Sequence, residues 1–215
     1  MDPTPTRGRL ITLEGGDGAG KSTQAALLAE RLRAAGVEVV STHEPGGTPL
    51  GQEIRRLLVT PGGDPPVVRA ELLLYLADRA QHVARVIAPA LARGAWLVCD
   101  RFVDSTIAYQ GAGRGLDEKE VTDLCRLATD GVWPDLTLWL SLDPAVAAHR
   151  RAGRGGADRM ELEGIAFQER LVAAFARLAA TEPERWREVA AEGDVAAVAA
   201  GIWAAVADRF PAVTG

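Results

Sequence analysis

Residues 15–22 read Gly-Gly-Asp-Gly-Ala-Gly-Lys-Ser, with the spacing G-x-x-x-x-G-K-[ST]. Glycines at this density let successive backbone N–H groups turn inward around phosphate oxygens, and a helix starting at Lys21 adds the partial positive charge of its N-terminus. Lys21 supplies a point charge that reaches the outer phosphates, and the Ser22 hydroxyl is a ligand for Mg²⁺. The chain uses Arg for nearly all of its basic residues, and its only lysines are Lys21 and Lys119. Keeping Lys at position 21 in such a chain points to work that needs a compact ammonium. Gly15, Gly16, Asp17, Gly18, Ala19, Gly20, Lys21, Ser22 and Thr23 are therefore the candidate contacts for a nucleoside triphosphate. The loop alone does not say which reaction follows.

Four further features supply polar groups suited to a second ligand. Asp17 is not needed for the turn, and a carboxylate beside phosphates is costly without a partner, which a sugar hydroxyl or the metal would provide. Glu44-Pro45-Gly46-Gly47-Thr48 is a turn with Arg55 on the helix after it; a tight turn and a solvated Arg are the plainer account of that segment. Tyr75 and Arg79, four apart, share a helix face on which a ring can stack on a base while a guanidinium bonds the base edge. The plainer account there is a core Tyr and an Arg paired with a carboxylate. Asp78 and His82 share a face in the same way and read as a structural pair, since no further metal ligands accompany them. Asp100 closes the apolar run Trp96-Leu97-Val98-Cys99 and is placed to hold hydrated Mg²⁺, while Arg101 directly after it can grip a phosphate bidentately. The same run continues through Ser105, Thr106, Tyr109 and Gln110.

Bringing these residues together takes a sheet whose strands all end on one side. Arg9–Glu14, Val37–Thr42, Ala95–Cys99 and Leu136–Leu142 are short apolar or β-branched runs that read as strands, with Arg185–Val189 as an edge strand. Helical patterns cover about 21–35, 50–59, 67–93, 118–129, 144–151, 162–180 and 195–210. Strands alternating with helices predict an α/β fold: a five-stranded parallel sheet flanked by helices, three layers in all, with ligands at the C-terminal edge of the strands. A length of 215 residues suffices for one domain and is short for two, and no linker or repeat divides it, so 1–215 is expected as a single domain. With 47% hydrophobic and 25% charged residues, the composition excludes a disordered or collagenous chain. No apolar run is long enough to span a membrane. A net charge of −5 argues against nucleic acid or anionic lipid as a partner. Cys99 and Cys125 lie in apolar stretches and are expected as core thiols. The first residues lack the apolar core of a signal peptide, which makes a cytoplasmic location the expectation.

Taken together, Gly15–Gln24, Glu44–Arg55, Tyr75–Arg79, Asp100–Gly111 and Asp158–Glu161 resemble the thymidylate kinases, enzymes of the P-loop NTPase fold that phosphorylate dTMP to dTDP with Mg-ATP for dTTP synthesis. The loop is shared by many NTPases. The run Asp-Arg-x-x-x-Ser-x-x-Ala-Tyr-Gln-Gly and the turn Glu-Pro-Gly-Gly-Thr are far more specific. The resemblance implies that Asp17 contacts the dTMP 3′-hydroxyl and that Glu44-Pro45, often a cis pair in the family, shapes the acceptor site. Arg55 and Arg101 would hold the acceptor phosphate, and Arg79 the thymine O4. Tyr75 stands where a Phe commonly stacks on thymine. Ser105, Thr106 and Gln110 would line the base and sugar, and Tyr109 would pack against C2′ and exclude a ribose hydroxyl. Ser22 and Asp100 would serve Mg²⁺. ATP and dTMP are the implied ligands, and a homodimer through the long helices is the implied assembly.

Some family members carry an Arg in the loop where this chain has Gly18. Such a cation is worth about 10³–10⁵ in rate, so the charge has to come from elsewhere. The Gly- and Arg-rich stretch from Arg150 to Arg159 resembles the short mobile lid of the bacterial-type enzymes, here about 150–161. Arg151 and Arg154 are its expected ligands for the transferring group, next to Lys21, Arg101 and Asp17 in the catalytic set. Arg159 is expected to pair within the lid or reach phosphate, and Glu161 to stabilise the lid; a solvated basic loop is the plainer account. For adenine, the lid and the loop near Glu184–Ala191 are the candidates. Two alternatives remain beside the leading one: a P-loop kinase for another (deoxy)nucleotide, and an ATP-hydrolysing regulatory switch. Arg55 and Arg101 together favour an acceptor that already carries phosphate.

Overall fold

The computed structural model describes residues 7–152, 159–160 and 163–213, with the backbone alone for 151 and 152. Strands β1 (Leu10–Glu14), β2 (Val39–His43), β3 (Trp96–Asp100), β4 (Leu136–Ser141) and β5 (Trp186–Ala190) form one sheet in the order β2-β3-β1-β4-β5. Every pairing is parallel. The inner strands are apolar on both faces because helices cover both. β1 sends Ile11 and Leu13 to one core and Leu10 to the other, and β3 sends Val98 to the first and Leu97 and Cys99 to the second.

The first core lies under α1 (Lys21–Ala34) and α9 (Val195–Arg209), through Leu28, Leu32, Val198 and Ile202. The second lies under α3 (Val68–His82) and α6 (Glu118–Ala128), through Leu72, Leu76, Val121 and Cys125. Each fully buried Leu contributes roughly 1.5–3 kcal/mol. Cys99 and Cys125 are buried free thiols, as expected. Between β2 and α3 runs α2 (Pro49–Val59), capped by Thr48, whose hydroxyl accepts from Gly51 N at 3.0 Å. The chain also forms α7 (Pro144–Ala152) and α8 (Ile165–Thr181). Among the described residues no helix is long and apolar enough to cross a membrane.

Two features depart from the sequence expectation. The helical run 67–93 is not uniform: α3 ends at His82, a π-helical turn fills Val83–Ile87, and α4 (Ala88–Ala92) follows. Pro89 has no N–H, and its ring crowds the carbonyl four residues earlier, so regular α geometry gives way one turn before it. The second departure is a helix over 103–113 that periodicity did not reveal. It comprises α5 (Val103–Thr106) and a π-helical segment Ile107–Gly113. Residues 103–111 are all buried, so the segment has no polar face and no 3.6-residue stripe to read.

The edge strand β5 is tied to that buried helix by charge. Arg185 donates to both carboxylate oxygens of Asp104, at 2.6 and 2.8 Å, and to Thr137 Oγ1 at 2.6 Å. Removing one partner of a buried pair leaves an uncompensated charge, so Asp104→Ala is expected to lower unfolding stability by about 3 kcal/mol in a urea titration. A loss under ~1 kcal/mol would show that the pair does not hold the edge strand.

Candidate active site

β2, β3 and β1 end side by side at His43, Asp100 and Glu14, and the glycine loop leaves directly from β1. Gly15 opens it with φ 135°; a side chain there would meet the Leu140 carbonyl, its Cβ lying 2.6 Å away. Lys21 is buried and donates to Gly16 O at 2.8 Å. Burial, followed by the charge of Arg101, pushes its pKa down to about 8. An anion beside it would reverse that shift. A cavity of about 570 Å³ opens here, lined by Asp17, Gly18, Gly20, Lys21, Ser22 and Thr23 on one side and by Ser41, Thr42, His43, Arg55, Asp100 and Arg101 on the other. Gly15, Gly16 and Ala19 do not line it; Ala19 packs into the first core.

The donor set on the cavity floor suits a metal that brings its own waters and phosphate oxygens. Ser22 Oγ donates to Asp100 Oδ2 at 2.5 Å, while Asp100 Oδ1 is buried with no hydrogen-bond partner among the described residues. Those residues contain no group of three His, Cys, Asp or Glu side chains that could cage a metal by protein ligands alone. One hydroxyl and one under-satisfied carboxylate fit Mg²⁺, which keeps most of its coordination shell for solvent and substrate.

Arg101 is the hub of the site. Its φ of 70° lies in the left-handed region, an uncommon state for a residue with a side chain. The surroundings over-determine it: Arg101 N donates to Leu13 O, Nη1 to Gly15 O and Ser105 Oγ at 3.1 Å each, and Nη2 to Asp17 Oδ1 at 2.5 Å and the Tyr109 hydroxyl at 3.1 Å. Its guanidinium also sits 4.9 Å from the Tyr109 ring centre. Burial alone would raise the pKa of Asp17, but Arg101 and Lys21 outweigh it and hold the carboxyl below its ordinary value. The expected partner for Asp17 was a sugar hydroxyl or a metal; here Arg101 and Tyr109 fill that place, because a neighbouring guanidinium meets the carboxylate's need without a ligand.

A narrower pocket of about 90 Å³ adjoins the large cavity. Asp17, Glu44, Pro45, Arg55, Tyr75, Arg79, Arg101, Ser105, Thr106, Tyr109 and Gln110 all line it, joined by Val59, Phe102 and Met160. Arg79 is fully buried, donating from Nε to Glu44 Oε2 at 2.9 Å and from Nη2 to Phe102 O at 3.0 Å. The expected Asp78–His82 pair does not form. Instead His82 Nδ1 lies 2.8 Å from Glu44 Oε1 and Nε2 lies 2.7 Å from Thr42 Oγ1, while Asp78 Oδ1 accepts from Gly46 N at 3.1 Å. Both residues brace the Glu44–Gly46 turn, whose Glu44-Pro45 bond is cis. Arg55, exposed on α2, donates to Pro45 O at 2.9 Å.

The family profile for thymidylate kinase matches residues 13–202. The chain belongs to the thymidylate kinase family. A thymidylate kinase from a Synechococcus strain is 54% identical over 204 residues, covering 95% of this chain and 97% of that protein. One from Magnetococcus marinus is 49% identical over 205 residues, covering 95% and 98%. The crystal structure of thymidylate kinase from Ehrlichia chaffeensis aligns with a TM-score of 0.75 at 34% identity, covering 93% of this chain and 99% of that one. The chain is thus a kinase of a family that takes ATP as phosphoryl donor, on the P-loop NTPase fold.

In this thymidylate kinase family member, Glu14 is a site residue that its sequence neighbourhood does not single out. Arg159 donates to Glu71 Oε2 at 2.5 Å and to Leu58 O at 2.8 Å, which ties it to α3 and the end of α2. Arg154, Asp158 and Glu161 lie outside the described residues, as does the side chain of Arg151. Arg150, at the root of the lid, donates to Ala191 O and Glu192 O. Within the adenine candidate Glu184–Ala191, residues Trp186–Ala190 are strand β5 rather than loop. By its place in the sequence Glu14 is only the end of a strand. It accepts from Phe102 N at 2.8 Å and from Ser105 Oγ at 2.5 Å. Its position one residue before the glycine loop was the available signal.

Burial first, and Asp104 next, push the Glu14 pKa from 4.5 up to about 8. The folded chain therefore holds this proton more tightly than the unfolded chain, so its contribution to stability is full below the ordinary carboxyl pKa and is lost as pH rises through about 8. Glu14→Gln removes that titration. Its stability relative to the parent should rise between about pH 5 and about pH 8 by an amount on the order of 2–3 kcal/mol. Denaturation curves whose difference stays constant with pH would contradict the shift.

Proposed function

We propose that the chain transfers the γ-phosphoryl group of ATP to dTMP, giving dTDP, within one domain spanning 1–215. The observation that carries this reading is the junction of the two cavities: Asp17, Glu44, Arg55 and Arg101 line both. One cavity begins at the phosphate loop and the other ends among Tyr75, Arg79 and Tyr109. A donor triphosphate and an acceptor monophosphate placed in them would meet at the two arginines.

The chemistry asks little beyond alignment and charge. A phosphate oxygen of dTMP is already anionic, so it attacks the γ-phosphorus without a general base. The new P–O bond forms as the bond to the β-bridging oxygen breaks, and ADP leaves with the electron pair. Gly15, Gly16, Gly18, Ala19 and Gly20 supply loop backbone to the triphosphate, with Ser22 and Thr23 beside it. Lys21 follows the transferring charge, and Arg55 and Arg101 hold the acceptor phosphate, Arg101 exchanging Asp17 for it. Asp17 then accepts from the 3′-hydroxyl. Arg79 faces the thymine O4, with Tyr75 stacked on the ring and Ser105, Thr106 and Gln110 around it. Ser22 and Asp100 would hold Mg²⁺, which when bound would offset the charge of the donor phosphates. Arg151 and Arg154 of the lid complete the cation set that Gly18 leaves unfilled.

The proposed assembly is a homodimer in the cytoplasm. Leu73 of α3 is 61% exposed, an apolar side chain on a helix of the implied interface.

Activity on a panel of acceptors tests the reading. Lys21→Ala is expected to cut dTMP-dependent ADP release about 10²–10³-fold with the melting curve preserved; near-parental turnover would remove the loop from the mechanism. Tyr109→Ala is expected to raise turnover of ribothymidine monophosphate relative to dTMP by about tenfold, through loss of a steric filter at C2′. An unchanged ratio would show that the ring does not read the sugar.

A further inference from the structure

Glu71 stands in the first turn of α3, 1% exposed, one and two helical turns before Tyr75 and Arg79. A lone buried carboxylate would be costly, yet this one gathers donors from two other parts of the chain. Gln110 Nε2 donates to Oε1 at 2.9 Å. Arg114 donates from Nε to Oε1 at 3.2 Å and from Nη2 to Oε2 at 3.3 Å. Arg159 donates to Oε2 at 2.5 Å. Burial would raise the Glu71 pKa, but these donors outweigh it and hold the group ionised.

Two consequences reach the acceptor pocket. An ionised carboxylate accepts and cannot donate, so it commits the amide nitrogen of Gln110 and leaves the amide oxygen as the end available to a ligand. A pyrimidine with a ring N–H matches that oxygen; one with an unprotonated ring nitrogen there does not. The second consequence concerns the pocket wall. Arg159 N donates to Val59 O at 3.1 Å, and Arg114 Nη2 lies 3.5 Å from Met160 Sδ, so the Glu71 cluster seats Met160 against the pocket beside Val59.

We propose that Glu71 is a positioning residue for pyrimidine choice: it fixes the Gln110 amide and the Met160 wall without itself touching the acceptor. The proposal rests on the dTMP kinase reading above and names what discriminates among acceptors in that site.

The test compares Glu71→Gln with the parent enzyme, using Mg-ATP and either dTMP or dCMP as acceptor. A neutral amide at 71 both donates and accepts, so Gln110 is no longer held one way round. The expected result is a fall of about tenfold in the ratio of kcat/KM for dTMP over dCMP. It should appear mainly in the KM for the acceptor, with the KM for ATP within about threefold of the parent. A purely structural role would lower both acceptors alike and leave the ratio unchanged, which overturns the proposal. Glu71→Asp keeps the buried charge for the two arginines but draws it back from Gln110. If Glu71→Gln does not fold, Glu71→Asp must shift the ratio in the same direction, and an unchanged ratio there also overturns it. The parent enzyme separates the two levels: failure to prefer dTMP defeats the functional reading itself, whereas a preference that the variants retain defeats only the role of Glu71.

Discussion

A guanidinium does not give up its proton inside a protein, so Arg101 has to be matched wherever the fold puts it. It sits at the junction of two cavities, between β3 and α5, and its partners are drawn from the phosphate loop, from α5 and from the π-helical segment after it. Asp17 neutralises it, Tyr109 lies against it, Ser105 accepts from it, and the Gly15 carbonyl anchors it to the start of the phosphate loop. The Ser105 hydroxyl is in turn oriented by Glu14, which also accepts from the backbone of Phe102. Two of these partners, Asp17 and Tyr109, are the residues that the proposed function gives to the acceptor's sugar. The pair with Asp17 keeps both buried charges matched.

The same rule builds the other walls. Glu44 joins Arg79 and His82 to the turn after β2. Glu71 joins α3 to Arg114 and Arg159. Asp104 joins the helix after β3 to Arg185 at the sheet edge. Pairs of this kind return little net stability, because desolvation offsets most of the attraction. Their return is geometric: each carboxylate accepts a specific set of donors in a specific arrangement, which an apolar contact of equal volume would leave free to slide.

The helix over 103–113 carries Tyr109 and Gln110 through the centre of this network. Its π-helical stretch sets these side chains at a spacing that a regular α-helix does not supply, and such stretches gather at functional sites. Buried on all sides, it is held by packing against Phe167 and by the ion pairs at both of its ends rather than by an amphipathic stripe.

Much of this was legible along the chain. The glycine loop, the strand before it and the helix after it are local features, determined by residues within a few positions of one another, and so are Asp100-Arg101 at the end of a strand and the Glu44-Pro45 turn. Alternation of apolar runs with amphipathic stretches was enough for a parallel sheet with two covered faces. Tertiary structure alone decided who pairs with whom. Asp17 meets Arg101 across 84 residues, Glu71 meets Arg159 across 88, and Glu14 meets Ser105 across 91. A carboxylate's partner is whichever donor reaches it once water is excluded, and sequence distance carries no record of that. The buried helix was hidden for a related reason: a segment enclosed on every side has no polar face, and without a contrast between faces its period leaves no mark in the sequence.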